Sequence, residues 1–547
     1  MVRASIRVRG AWAELEGGNE ETLEEVLAFD HPAPYRSQAY RDKLWDGKLR
    51  LFSGTRFPAG LAPRVADHIT EHQRRDVALH GWQPKTEVDW SWVDEEYLPP
   101  VGKFKKLWPH QLDAIRAFLA NPRGIGKLPT GSGKTEIVAA VARLYWDEFG
   151  WRSLVLVPKL GLLHQTAHRL VGYYQGEVSV GIIGDGQRAY DCAVTVATAQ
   201  TMARWRPSRV KGKLVGAERE LRNLLQEVRV LFLDECHRAS SETWYDIAMN
   251  CKAVRRYGLS GTPLKADAFA DAKMIGATGP ILYTADADTL ISTGLAAKPK
   301  IVMVYAEAAT GPDLTQEVHH EALKLTREQS LQRQLKKKRS PKRAALAIQR
   351  IKTPDPKLRY QVGYRLGIVE NKAQNAAVVR GVQWLAKNKR RTLVLCRQKK
   401  HLALLVELFE QSGVSYISVE GASDLLERKH AKQALAGGKV QAVIATTIWD
   451  EGEDLECDAI ILAEGVKSLQ TTLQRIGRGM RRDSTDVWVI DFVPTATAQL
   501  REQAAHRADA YESEGYEVML IDKWPSSSRG KLELPFTSWD VLYSAQG

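Results

Sequence analysis

The chain has 547 residues, 44% hydrophobic and 26% charged, which is the balance of a soluble globular protein rather than a disordered or membrane one. No apolar run approaches the ~20 residues that span a bilayer, and the start, MVRASIRVRGAWAELEGG, lacks the apolar core of an export signal, so a cytoplasmic setting is expected. A formal charge of +13 predicts attraction to polyanions, nucleic acid first among them, although solubility alone also accounts for such a surplus.

At ~100 to 200 residues per domain the length predicts three or four units. The first, residues 1–90, is a small α+β unit in which LWDGKLRLF reads as strand, turn at Asp46 and Gly47, and strand. Alternation there sends Leu49 and Leu51 to one face and Lys48 and Arg50 to the other. Short β-branched runs then recur between helical stretches: SLVLVP, VTVAT, VRVLFLD and YGLSG over residues 91–304, and RTLVLC, VSYISVEG, VQAVIAT, AIILAEG and VWVIDF over 365–522. Such runs indicate two α/β lobes with parallel sheets covered on both faces. Residues 305–364 read as a basic helical linker or insertion. From Leu331 it carries Arg333, Lys336, Lys337, Lys338, Arg339, Lys342, Arg343 and Arg350 without an acid. That run reads equally as a solvated face and as a DNA contact. Residues 523–547 form a tail. The five cysteines include no CxxC pair, which argues against a zinc ribbon or a disulfide framework.

Two stretches carry chemistry. In LPTGSGKTEIVAA, Gly131 and Gly133 let backbone N–H groups turn inward around a phosphate chain. Thr130, Ser132 and the following helix start complete the cradle, Lys134 brings a charge to the β and γ phosphates, and Thr135 can ligate Mg²⁺. The strict pattern wants glycine at position 128, where this chain has Leu128. About a hundred residues on, the apolar run VRVLFLDECHRAS ends in two adjacent carboxylates. Asp234 suits Mg²⁺ on the bridging phosphates and Glu235 suits orienting and deprotonating a water, while His237 is placed to report hydrolysis to a neighbouring segment or simply to pack.

These residues resemble a superfamily-2 helicase, and the likeness runs through both lobes in order. It implies two RecA-like lobes. LWPHQLDAI is similar to the family's adenine-side segment, with Gln111 at its glutamine and Trp108 and His110 in place of the usual Arg and Tyr. LVLVPKLGLLHQT and VTVATAQTM resemble motifs that touch one strand's backbone, which assigns Lys159, Thr198 and Gln200 to nucleic acid. GLSGTP resembles the segment that couples hydrolysis to movement, with Ser260 and Thr262 in its polar positions. ATTIWDEGEDL resembles the motif carrying Gly452 and Asp454, and QRIGRGMRR matches the arginine motif with Gln474, Arg478 and Arg481. An arginine of that kind stabilises charge on a transferring phosphoryl group and contributes ~10³ to 10⁵ in rate.

Within the superfamily, YRDKLWDGKLRLF followed by FPAGLAPRV resembles the accessory domain of phage UvsW-type helicases, with Lys48 and Arg50 facing DNA. The resemblance implies an ATP- and Mg²⁺-dependent DNA helicase or translocase that remodels forks, Holliday junctions or R-loops in a phage-infected or bacterial host cell, with DNA or an RNA–DNA hybrid as partner. The alternatives are an ATP-gated clamp or sensor that does not unwind, and the motor of a restriction or defence complex.

Overall fold

The computed structural model describes residues 4–82, 88–102, 104–129, 131–210, 213–215, 218–264, 267–285, 298–304, 314–336, 348–349, 351–420, 423, 425–446, 457–465, 486–494, 496–513 and 516–521. The chain divides into two compact units, residues 1–286 and 287–547. No described helix is long and apolar enough to cross a membrane.

The first unit opens with strands β1 (Ala4–Arg9), β2 (Trp12–Glu16), β3 (Ala28–Asp30), β4 (Lys48–Arg50), β5 (Arg56–Pro58) and β6 (Val77–His80). Four of them form a sheet in the order β5-β2-β1-β6. Alternation in β1 buries Ala4, Ile6 and Val8 against two helices, Glu20–Leu27 and Ala62–Gln73. The first of these is capped by Asn19, whose side chain accepts from the Thr22 N–H.

The hairpin expected across Asp46 and Gly47 does not form. β4 instead pairs antiparallel with β3, Asp30 opposite Lys48, and residues 31–47 connect them as a loop. Local turn chemistry was outweighed by pairing with Ala28–Asp30, which lets Leu51 enter the core while Lys48 and Arg50 stay exposed, as alternation predicts.

The same unit continues with β7 (Arg123–Lys127), β8 (Ser153–Val157), β9 (Val180–Gly184), β10 (Gln187–Arg188), β11 (Val194–Thr198), the small pair β12 (Ser208–Val210) and β13 (Lys213–Val215), then β14 (Val230–Asp234), β15 (Arg255–Ser260) and β16 (Ile281–Thr284). Eight of these make one sheet, β10-β9-β11-β8-β14-β15-β7-β16, parallel except for β10 against β9. Its inner strands β8, β11 and β15 are buried on both faces, which is why they read as unbroken apolar runs. Because neighbouring strands run parallel, the segments after β7, β8, β11, β14 and β15 gather at one edge. Open α/β sheets bind ligands at that edge.

The small N-terminal sheet is seated directly on this lobe. A Cβ built on Gly60 would lie 1.9 Å from the Ile275 carbonyl oxygen, so the two backbones touch where only glycine fits. The buried Arg123 donates to the Gly10 carbonyl at 2.7 Å and lies over the Trp82 ring. Ala272 of the helix Ala268–Thr278 completes the small domain's core.

In the second unit, β17 (Lys298–Val304), β18 (Thr392–Cys396), β19 (Tyr416–Val419), β20 (Ala442–Thr446), β21 (Ala459–Leu462), β22 (Asp486–Phe492) and β23 (Glu517–Ile521) form a parallel sheet ordered β19-β20-β18-β21-β22-β17-β23. This corrects the lobe boundary, since residues 298–304 were assigned to the first lobe. β17 inserts between β22 and β23, with Ile301 and Met303 in one apolar cluster and Val302 and Val304 in the other. The linker assignment for 305–364 is corrected as well. The helices Thr315–Lys336 and Pro356–Tyr364 bury Val318, Ala322 and Val362 together, and the Leu314 N–H donates to the Ala496 carbonyl at 2.9 Å. They belong to the second unit because the N-terminal part of the run carries an apolar face that must be covered. Arg333 is exposed; the basic side chains from Lys336 to Arg343, Arg350 and the tail 523–547 lie outside the described residues.

Candidate active site

The loop after β7 is bent by two glycines in the left-handed region, Gly131 at φ +88° and Gly133 at φ +82°, and the helix Lys134–Phe149 starts directly behind it. Leu128, the departure from the strict pattern, is fully buried in the lobe's core, so the side chain anchors the loop's entry. Lys134 Nζ donates to the Leu128 carbonyl at 3.3 Å and lies 3.7 Å from Glu235 Oε1, spanning the loop. Thr135 is half-buried in the helix's first turn, and the buried Ser132 Oγ has no hydrogen-bond partner among the described residues. A curved row of N–H groups, a lone hydroxyl and an ammonium at a helix start are the donor set that a polyphosphate takes up.

Gln111 reaches this loop. Its Oε1 accepts from the Trp108 N–H at 2.9 Å and its Nε2 donates to the Ser132 carbonyl at 3.1 Å, which His110 Nε2 also meets at 2.8 Å. The start of the helix Pro109–Ala120 is thereby tied to the loop's backbone, and a side chain on Gly133 would strike Gln111 Nε2 at 1.9 Å.

Two strands away, β14 ends in Asp234. Burial, then the neighbouring Glu235 carboxylate, pushes the Asp234 carboxyl up to about 6, against the pull of Lys134. A buried carboxylate raised in this way is relieved by a divalent cation, so Asp234 and Thr135 fit a magnesium ion beside a triphosphate. Glu235 itself takes a left-handed backbone, φ +55°, which is costly for a residue with a Cβ and turns its carboxylate back over the strand end. There it meets Ser260 Oγ at 3.5 Å and His237 Nδ1 at 3.4 Å, while His237 Nδ1 is 3.1 Å from Ser260 Oγ, which also accepts from the Thr262 N–H at 3.2 Å. Lys134, Glu235, His237 and Ser260 are therefore one polar chain from the phosphate loop to the segment after β15.

Lys159 is exposed after β8, Gln200 is exposed after β11, and both stand at the same sheet edge. Thr198 is buried, and its hydroxyl caps the short helix Ala199–Met202 by accepting from the Thr201 N–H at 3.3 Å, so it shapes that segment. Arg50 is held by Glu24, with Nε–Oε2 at 2.7 Å, and by Asp46; Lys48 lies 3.4 Å from Glu24. A phosphate would have to compete for both cations. Thr130, Gly452, Asp454, Gln474, Arg478 and Arg481 lie outside the described residues.

Sequence reasoning missed Glu136. It is buried in the first turn behind the loop, accepts from the Tyr173 hydroxyl at 2.5 Å, and has a second oxygen without a partner among the described residues. An acid directly before the apolar run Ile137–Ala142 was the available signal.

Residues 104–265 match the family model described as "Type III restriction enzyme, res subunit", and residues 374–483 match "Helicase conserved C-terminal domain". The chain carries the paired domains of a superfamily-2 helicase. Helicases of this kind hydrolyse ATP and act on nucleic acid. This helicase is 24% identical over 470 residues to the DNA 3′-5′ translocase XPB2 of Sulfurisphaera tokodaii, spanning 83% of this chain and 98% of that one. It is 23% identical over 499 residues to the ATP-dependent DNA helicase uvsW of Enterobacteria phage T4, spanning 87% and 86%. In fold it is similar to the type ISP restriction-modification enzyme LlaBIII bound to DNA, with a TM-score of 0.54 at 16% identity over 85% of this chain and 34% of that one.

Proposed function

We propose that the protein is an ATP- and Mg²⁺-dependent DNA translocase that remodels branched DNA: forks, Holliday junctions and R-loops. The observation that carries the reading is the Lys134–Glu235 approach of 3.7 Å at a sheet edge that also presents Lys159, Gln200 and Ser260. Backbone N–H groups of 131–135 receive the triphosphate, and Lys134 transfers its charge from Glu235 to the β and γ phosphates. Thr135 and Asp234 would hold a magnesium ion, which would supply charge neutralisation to the phosphates. Freed of Lys134, Glu235 orients and deprotonates the attacking water. Family resemblance assigns Gln474, Arg478 and Arg481 to catalysis and Gly452 and Asp454 to the nucleotide. Ser260 and His237 pass the change at Glu235 to the segment after β15, and Lys159, Thr198 and Gln200 belong to the strand-holding side.

Two relatives described as a DNA 3′-5′ translocase and a DNA helicase favour DNA, and the first favours 3′-to-5′ movement. Branched substrates suit such a motor energetically. Each base-pair step broken costs ~1.4 kcal/mol of stacking, and migration re-forms an equivalent step behind the junction, so the motor chiefly imposes direction. The test is strand displacement on forks, four-way junctions, R-loops and plain duplex. ATP-dependent resolution of the branched substrates supports the reading; hydrolysis that DNA stimulates without any displacement would favour a clamp instead.

A second reading, the motor of a restriction complex, draws on the description of the first family model. Copurification with a nuclease at fixed stoichiometry would select it.

A further inference from the structure

The connection between β3 and β4 is a single closed surface loop. Directly beyond the Asp30–Lys48 pair, the His31 N–H donates to the Gly47 carbonyl at 2.9 Å, so the ends of 31–47 meet at its base. Inside, the Leu44 and Trp45 N–H groups both donate to the Ala39 carbonyl, and the Trp45 ring stands edge-on to His31 and Tyr40 with centroids 5.5 and 6.3 Å away. Gly47, at φ +84°, lets Tyr40 close over it. A loop packed by its own side chains holds a defined shape, and such loops are frequently functional.

Its outward face is what a structural role leaves unexplained. Tyr35 is 61% exposed, Leu44 81% and Tyr40 38%, so three of the ten exposed large apolar side chains among the described residues fall within ten positions. Arg41 and Lys43 are exposed between them, and no carboxylate pairs with Lys43 among the described residues. Rings beside cations match the two chemistries of a single strand, flat base faces and phosphates. A paired duplex hides its base faces, whereas a branch point exposes them. A partner protein would use the apolar groups without needing the cations.

We propose that the loop 31–47 seats the first unpaired bases of a DNA strand leaving a branch point, with Tyr35 and Leu44 against the bases and Arg41 and Lys43 on the flanking phosphates. The proposal rests on the branched-DNA reading and specifies the part of the chain that recognises the branch. Because the small domain is seated on the nucleotide-binding lobe through Gly60 and Arg123, a base held there moves with that lobe.

The experiment uses the full chain and a fork carrying 2-aminopurine at its first unpaired position. Wild type is expected to change the probe's fluorescence and to bind the fork more tightly than paired duplex. The Tyr35→Ala, Leu44→Ala double variant should lose about tenfold or more of fork affinity and the probe response, with duplex affinity within twofold and the unfolding midpoint unchanged. Tyr35→Phe should retain both signals. Unchanged fork affinity and probe response in the double variant, including the case where it loses only a protein partner, would overturn the assignment while leaving the translocase reading intact. A wild type whose hydrolysis ignores DNA would sink that reading and this one together.

Discussion

His237 Nδ1 stands 3.1 Å from Ser260 Oγ, and both reach the same Glu235 oxygen. His237 follows β14 and Ser260 ends β15, the neighbouring strand, so their contact joins the hydrolytic end of the site to the GLSGTP segment. If the pair acts as one device, His237→Ala and Ser260→Ala each lower DNA-stimulated kcat by about tenfold, and the double variant is no worse than the weaker single. Additive losses in steady-state kinetics would mean that the two act independently.

Lys134 and Glu235 give opposite signatures. Lys134→Ala removes the charge that meets the phosphates, so nucleotide binding and turnover both fall, turnover by ~10³. Glu235→Gln keeps the shape and is expected to retain nucleotide while losing ~10² to 10⁴ in kcat. DNA affinity without nucleotide should stay within a few fold in both. Nucleotide titration and single-turnover hydrolysis separate the two effects; residual turnover near wild type in either variant would remove that residue from the site.

Gly60 tests whether the small domain is fixed to the lobe. The nearest atom to a Cβ there is backbone, the Ile275 carbonyl at 1.9 Å, so no side-chain rotation relieves the clash. Gly60→Ala should cost about 3 kcal/mol or free the small domain as a separately unfolding unit. Denaturant unfolding with limited proteolysis reads either result, whereas wild-type behaviour would mean the contact is loose.

His401 makes the second unit acid-sensitive. It is fully buried, with Nε2 2.9 Å from Asn375 Oδ1, and burial lowers its pKa from 6.5 to about 4. Above pH 6.5 the imidazole is neutral in both folded and unfolded chains and costs nothing. As pH falls toward 4, the unfolded chain takes up the proton first, so stability is lost through that window, about 2 kcal/mol of it between pH 7 and 5. His401→Gln should flatten that part of the pH dependence in equilibrium unfolding; an identical slope would place the titration elsewhere.

The site was legible where chemistry requires a fixed spacing. GSGKT and DECH found Lys134, Asp234 and Glu235 because phosphate binding constrains neighbours along the chain. Long-range pairing was not legible. Nothing in KPKIVMV says that it inserts between β22 and β23, and Asp46-Gly47 carries a strong turn signal that pairing with Ala28–Asp30 outweighs. Glu136 was missed for a related reason: its meaning lies in Tyr173, which is remote in sequence. The acid that meets both Lys48 and Arg50 was also invisible to strand alternation, since Glu24 arrives from a helix.

The most direct measurement is steady-state ATP hydrolysis by the wild-type chain and by Lys134→Ala, each with Mg²⁺ and with or without a DNA fork. The account predicts that the fork raises the wild-type rate by about tenfold or more and that Lys134→Ala stays at background in both conditions. A wild-type rate indifferent to DNA, or a Lys134→Ala rate that matches it, would contradict the account.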